Sequence, residues 1–430
     1  MLGSLLVRNQ QKQYGPLNRN ELKGLIQDGE FSSDDQVWLE DEGEWIEAEQ
    51  VEELKSLFNP EQNLHSEKKV IAIGSGKGGV GKTVTSASMG IALAVLGNDV
   101  ILVDADFGGA NLHTCMGILE PQYTFFDYYT LQKDSLEDIL LDTPIKTLKM
   151  ISGASGILGL ANPKYSQKLR LIRELKKLDA DYTILDLGAG ASMNVIDFFI
   201  AVDEGIVVTT PEPTAIQESY DFIKLCLLRK LQRAFSKNEE VLSLLNVEGL
   251  NSLKQFNDPV EDLIEKASKI SKNVSDEMEA IVSGFRPKLI LNMVMGPDEI
   301  KEGASIKTAA AELLSLDIDY LGYVEYDEGV HESVKNLRPF IIDKPKSKAS
   351  RSLAKLITVK MLNKSRLDSF IEKRKLRKFA QTSAEQFPSA DSYESKTICS
   401  VNCFYWDDCE YQNGGYPCKI RHLESLFKSK

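Results

Sequence analysis

No stretch of this chain approaches the roughly 18 uninterrupted apolar residues that a membrane-spanning helix needs. A transmembrane span is therefore not expected among its 430 residues. The opening MLGSLLVRNQQKQYG has neither a basic start nor a long apolar stretch, which is not the pattern of a secretory signal. Cytoplasmic placement is the expectation that follows. Cysteine is scarce, with six in all. Cys115 and Cys226 stand alone in apolar or helical contexts and are expected to be buried and inert. The other four crowd between Cys399 and Cys418, and in a cytoplasmic chain such crowding suggests metal before disulfide. Lys and Arg are absent from Asp28 to Glu53, whereas KSRLDSFIEKRKLRK (364–378) is strongly basic. Asymmetry of this kind marks separate modules. A net charge of −13 argues against nucleic-acid binding by the surface as a whole. No internal repeat is present.

Hydrophobic residues make up 42% and charged residues 27%, the balance of a soluble globular protein. About two or three domains are expected at this length. Residues 1–58 form a short acidic unit with two tryptophans, followed by the polar joint NPEQNLHSEKK. Over residues 66–362, the apolar runs VIAIG, DVILVDAD, YTILDLG, GIVVTT, PKLILNMV and DYLGYVEYD alternate with amphipathic helical stretches. Near-continuous apolar strands separated by helices predict an α/β domain, its mostly parallel sheet covered on both faces. A charged, leucine-bearing insertion of helical periodicity runs from about residue 234 to 286. A basic helix or linker (363–395) then leads to a Cys-rich tail (396–430).

The strand VIAIG and the helical KTVTSASMGIALAVLG enclose Gly76-Lys77-Gly78-Gly79-Val80-Gly81-Lys82-Thr83. This satisfies G-x-x-x-x-G-K-[ST] in the strand–loop–helix setting the motif requires. Glycines let successive backbone N–H groups point inward around phosphate oxygens. The following helix turns its positive N-terminal end to the same anion. Lys82 is expected to bridge the terminal phosphates, and Thr83 to place its hydroxyl on Mg²⁺. Since Lys82 already supplies charge compensation, a second lysine at the loop's entrance, Lys77, is expected to face outward. In DVILVDADFGGANL, Asp104 and Asp106 lie at the carboxyl end of a buried strand, where open α/β sheets bind ligands. Their two-residue spacing points both side chains to one face. Asp186 ends another strand in YTILDLGAGAS.

KGGVGKT resembles the deviant Walker A motif of the MinD/ParA family. ISGASGILGLANP, TTPEPTAIQESYDFIK, LILNMV and YLGYVEYDEGVHESV are similar to stretches of its MinD and FlhG members, over roughly residues 68–362. The resemblance implies a P-loop NTPase of the SIMIBI type that binds ATP and Mg²⁺ and hydrolyses ATP slowly, faster once dimerised. It implies that Lys77 reaches across a dimer interface to the nucleotide of the other subunit. Asp106 would position the attacking water, Asp104 would stand near the metal, and Asp186 would hold Mg²⁺ through water. Gly188 and Gly190 would let the backbone pass close to the γ-phosphate, and Asn292 would recognise adenine. Val84 and Pro211 are carried over as further nucleotide contacts. Two features depart from the family: the long insertion, and Glu325 in place of a common proline after the GYV strand.

YGPLNRNELKGLIQDGEFSSDDQVWLEDEGEWIEAEQVEEL (14–54) is similar to the bacterial GYF-like domain. Eukaryotic GYF domains bind proline-rich peptides, whose preformed PPII shape docks between aromatic side chains. Tyr14, Trp38 and Trp45 are candidates to line such a groove, or both tryptophans are simply core. Acidic surroundings favour ligands combining Pro with Lys or Arg. In the tail, Cys399, Cys403, Cys409 and Cys418 have the spacing C-x3-C-x5-C-x8-C. Thiolates so spaced can fold around zinc or an iron–sulfur cluster. The basic stretch 364–378 has a poor apolar moment, so a solvated helix or linker is expected there rather than a contact with anionic lipid. Taken together these readings favour an ATP-dependent dimerising switch that places or assembles a flagellar, polar, division or motility structure, peripheral to the inner membrane or cell pole. An iron–sulfur carrier resembling the Mrp scaffold ATPases is the alternative. Those usually hold a C-x-x-C pair inside the ATPase, whereas here the clustered cysteines lie outside it.

Overall fold

The computed structural model describes residues 5–9, 12–17, 22, 25, 26, 31–39, 44–48, 51, 54, 68–107, 109–153, 165–245 and 259–387. Among the described residues there are two sheets. Strands β1 (Leu5–Arg8), β2 (Gln13–Leu17), β3 (Gln36–Leu39) and β4 (Glu44–Glu47) form an antiparallel sheet in the order β2-β1-β3-β4. The larger sheet has eight strands: β5 (Lys69–Gly74), β6 (Val100–Ala105), β7 (Leu141–Asp142), β8 (Leu148–Ile151), β9 (Tyr182–Leu187), β10 (Glu204–Thr209), β11 (Lys288–Val294) and β12 (Asp319–Glu325). Their order is β12-β11-β10-β5-β9-β6-β8-β7, parallel throughout except for β7 against β8. The six apolar runs picked out in the sequence all lie in this sheet. β7 and β8 were not among them.

Every residue of β6 and β9 is buried, as expected where helices cover both faces of a sheet. On one face Val70, Ala72, Val103, Leu185 and Val207 pack with Leu171, Phe198 and Phe222 of the helices Tyr165–Lys177, Met193–Ala201 and Pro213–Ala234. On the other, Ile71, Ile73, Leu102, Ile184 and Val208 meet Met89 and Leu93 of the helix Lys82–Val95 and Leu353 of the helix Lys348–Leu356. This alternation along each strand is the two-residue period of β structure made visible in the core.

The insertion is helical where it is described: Glu239–Leu244, Val260–Ile270 and Lys272–Gly284. Val260, Leu263, Met278 and Val282 join the first core, so the insertion packs onto the domain rather than standing off it. The segment read as a solvated helix or linker is instead a packed helix, Arg366–Ser383. Leu376 and Ala380 are buried in the second core together with Phe387, while Leu367 and Phe370 on the opposite side are exposed. The domain boundary expected at residue 362 therefore cuts through a packed unit. Among the described residues no helix is long and apolar enough to cross a membrane.

In the small sheet, Val7 is paired with Tyr14 and with Val37, while Leu6 is paired with Trp38 and Trp38 with Trp45. Paired residues share a face, so Tyr14 lies on the face of Val7 and Val37, where Leu22, Phe31 and Leu54 complete a small core. Trp38 and Trp45 lie on the other face, both half-buried, their rings edge to face at 5.6 Å. Arg8 sits 4.3 Å over Trp45. The three aromatics therefore cannot line one groove. The tryptophans form a platform and Tyr14 belongs to the core side. The cysteine tail lies outside the described residues.

Candidate functional site

The loop after β5 leads into the helix Lys82–Val95 through a left-handed Gly81 (φ 87°), and Gly79 is left-handed as well (φ 80°). Only glycine adopts this conformation without strain. A side chain at Gly81 would also strike the Asn292 amide, and one at Gly76 would strike the backbone of Glu218 and Ser219. The loop is thus wedged between β11 and the helix Pro213–Ala234. Asn292, buried near the end of β11, donates from Nδ2 to the Val80 carbonyl at 2.8 Å. The next residue, Met293, takes a left-handed φ of 60°, a strained state for a non-glycine residue. The residue expected to read adenine is therefore also a brace for the phosphate loop.

The two lysines of the loop face different surroundings. Lys82 is buried, 8% exposed, and interacts with Asp186 and Asp106. Burial pulls its pKa down, and the two carboxylates oppose that pull. The side chain of Lys77 is 34% exposed and donates to Glu212 Oε2 at 2.9 Å and Thr214 Oγ1 at 2.8 Å. Val80 is buried, whereas Gly78 and Gly79 are exposed at the loop's tip. Val84 is half-buried in the first turn of the following helix, and Pro211 is half-buried just after β10.

β5, β9 and β6 deliver the remaining groups side by side, with Ile73 paired to Asp186 and Asp186 to Asp104. Asp186 accepts from Ser86 Oγ at 2.9 Å and from the Thr83 hydroxyl. Burial raises its pKa to about 6 against those two hydrogen bonds and Lys82. Asp104 is fully buried; its oxygens accept from the backbone N–H of Asp106 (3.1 Å) and Leu112 (2.9 Å). Burial, then the neighbouring Asp186, raises it to about 7. Asp106 is half-buried, with Oδ1 accepting from Gly109 N at 3.0 Å. Gly188 passes beneath it, since a Cβ there would lie 3.2 Å from that oxygen. Gly190 (φ 81°) donates to the Ser75 carbonyl at 3.1 Å.

Lys77, Lys82, Thr83, Asp106, Asp186, Gly188 and Gly190 thus surround one loop, with Asp104 directly underneath. Hydroxyl and carboxylate oxygens at Thr83 and Asp186, beside amide-lined glycines, are the donor set of a hard cation such as Mg²⁺ accompanying a phosphate chain. Sequence reasoning missed Ser86, although it lies one helical turn beyond Lys82 and its spacing shows it on the same face. It also missed Glu212 and Thr214, for which no local signal exists. Among the described residues no group of three or more His, Cys, Asp or Glu is placed to hold a metal ion on its own.

Residues 71–340 match the family described as CobQ/CobB/MinD/ParA nucleotide binding domain, and residues 6–54 match GYF domain 2. The antiactivator FleN of Pseudomonas aeruginosa is 28% identical over 285 residues, covering 66% of this chain and 82% of that protein. The septum site-determining protein MinD of Synechocystis is 26% identical over 268 residues, covering 60% of this chain and 93% of that protein. The solved structure of MinD from Pyrococcus horikoshii complexed with Mg-ADP is 21% identical, with a TM-score of 0.46, over 69% of this chain and 97% of that one.

Proposed function

Because the chain belongs to the CobQ/CobB/MinD/ParA nucleotide-binding family, as a P-loop ATPase with an N-terminal GYF domain, we propose that it is a switch of the MinD/FleN type. Two copies close on ATP, the closed pair engages a protein partner, and hydrolysis releases it. The process served is the placement of a flagellum or a division site, from the cytoplasm or at its bounding membrane. One observation carries this reading: the loop holds one lysine buried toward Asp186 and a second, half-exposed, that pairs instead with Glu212 and Thr214. A single phosphate chain within one subunit needs only the first.

In this reading the glycine amides and Lys82 hold the phosphates, and Gly188 and Gly190 let the backbone approach the terminal one. Asp106 orients the attacking water, and Asp104 fixes the strand-to-loop turn through the N–H groups of Asp106 and Leu112. Thr83 and Asp186 would hold Mg²⁺, which when bound offsets charge on the phosphates. Lys77, supplied by the second copy, adds the positive charge that a lone subunit lacks, so turnover is slow until pairing occurs. Asn292, Val84 and Pro211 contact the nucleoside side. The GYF domain offers Trp38 and Trp45 to a proline-rich or basic peptide. No described feature favours the cluster-carrier alternative.

Sedimentation of the full chain with a non-hydrolysable ATP analogue tests the proposal. A dimer is expected with the analogue and a monomer with ADP. Lys77→Ala should retain nucleotide binding while losing at least about tenfold in turnover. A chain that stays monomeric when saturated with the analogue would sink the reading.

A further inference from the structure

Lys77 is engaged within its own chain. Its ammonium lies between Glu212 Oε2 and Thr214 Oγ1, residues 135 and 137 positions away. Both stand at the start of the helix Pro213–Ala234, with Glu212 in the capping position. A side-chain oxygen there ordinarily accepts from the N–H groups of the first turn. This helix start has no such hydrogen bond, and the side-chain oxygens of Glu212 and Thr214 turn to the lysine instead. The field of the helix start favours the Glu212 carboxylate and disfavours a cation. Lys77 is held there by its direct contacts, against the helix.

The backbones on either side are fixed. Ser75 Oγ donates to the Lys77 carbonyl at 2.7 Å, and Gly76 lies against the backbone of Glu218 and Ser219. The lysine can therefore change partners by rotating its side chain, without moving the loop. Glu212 is 65% exposed in its side chain, so water replaces the lysine at little cost once it leaves. The contact is a weak restraint that a more highly charged anion can displace.

We propose that Glu212, with Thr214, is a positioning residue that parks Lys77 in cis, so that pairing of two copies requires each lysine to exchange Glu212 for the nucleotide of its partner. This inference rests on the dimer reading above and deepens it. Glu212 then sets the protein concentration at which ATP closes the pair.

The test is the dimerisation midpoint of the full chain, measured by sedimentation across protein concentrations with a saturating non-hydrolysable ATP analogue. Glu212→Gln should lower the midpoint roughly five- to thirtyfold, because two exposed pairs of about 0.5–1 kcal/mol are released per dimer. Analogue affinity measured well below the midpoint should not change. In a Lys77→Ala background the same substitution should lower the midpoint no further, and Glu212→Asp should fall between wild type and Glu212→Gln. An unchanged or higher midpoint for Glu212→Gln, or an equal gain without Lys77, overturns the parking role alone. Failure of the wild-type chain to dimerise at any concentration overturns the dimer reading itself.

Discussion

Asp104 and Asp186 are paired across neighbouring strands, so ionising one raises the cost of ionising the other. Both are raised above the ordinary aspartate value of 3.8, to about 7 and about 6. Each therefore contributes stability that is complete below that ordinary value and is lost as pH rises through about 6 to about 7. The nucleotide-free chain should accordingly lose melting temperature from about pH 4 to about pH 7 on account of this pair, and Asp104→Asn should flatten the slope. Differential scanning fluorimetry across that range checks both. At Gly81, substitution by alanine meets a left-handed backbone and the Asn292 amide together. It should cost about 1–3 kcal/mol of stability in denaturant titration and abolish nucleotide binding. That loop was legible because its chemistry is local: glycine, lysine and threonine at fixed spacing. The Lys77–Glu212 contact was not, since no pattern links residues 135 positions apart before the chain is folded.

Helices and strands were readable in proportion to their apolar signal. The six long strand runs announced themselves, while β7 and β8, of two and four residues, were too short to carry a period. For the helix Arg366–Ser383 the faces could be drawn from the sequence, but which face would be covered depended on a receiving surface built from other helices. Leu376→Ala should cost about 2–4 kcal/mol, whereas Leu367→Ala on the open side should stay within about 0.5 kcal/mol. Truncation after Leu362, which removes this helix, should destabilise the domain strongly. Another element-scale tie is Asp197, buried on the helix Met193–Ala201 and bonded to Lys168 and Arg229 at 2.8 Å, with Arg233 at 3.6 Å. It joins three helices through one carboxylate. Asp197→Ala leaves those cations uncompensated and should cost about 3–5 kcal/mol by urea denaturation.

At the scale of the molecule, the small antiparallel sheet has its own core, and the eight-stranded sheet has one core on each face. Trp45→Ala should weaken peptide capture while leaving nucleotide turnover intact, as a pull-down against proline-rich peptides run beside a phosphate-release assay would report. The wedge at Gly76 has a longer reach. The helix whose backbone it touches, Pro213–Ala234, has 22 residues and so runs about 33 Å. Its far portion packs with the insertion, where Lys230 lies 5.4 Å over Phe285. A tilt of about 5° at the phosphate end would carry the other end about 3 Å over that length. The phosphate loop and the insertion are thus the two ends of one rod, and a displacement at the first is magnified at the second.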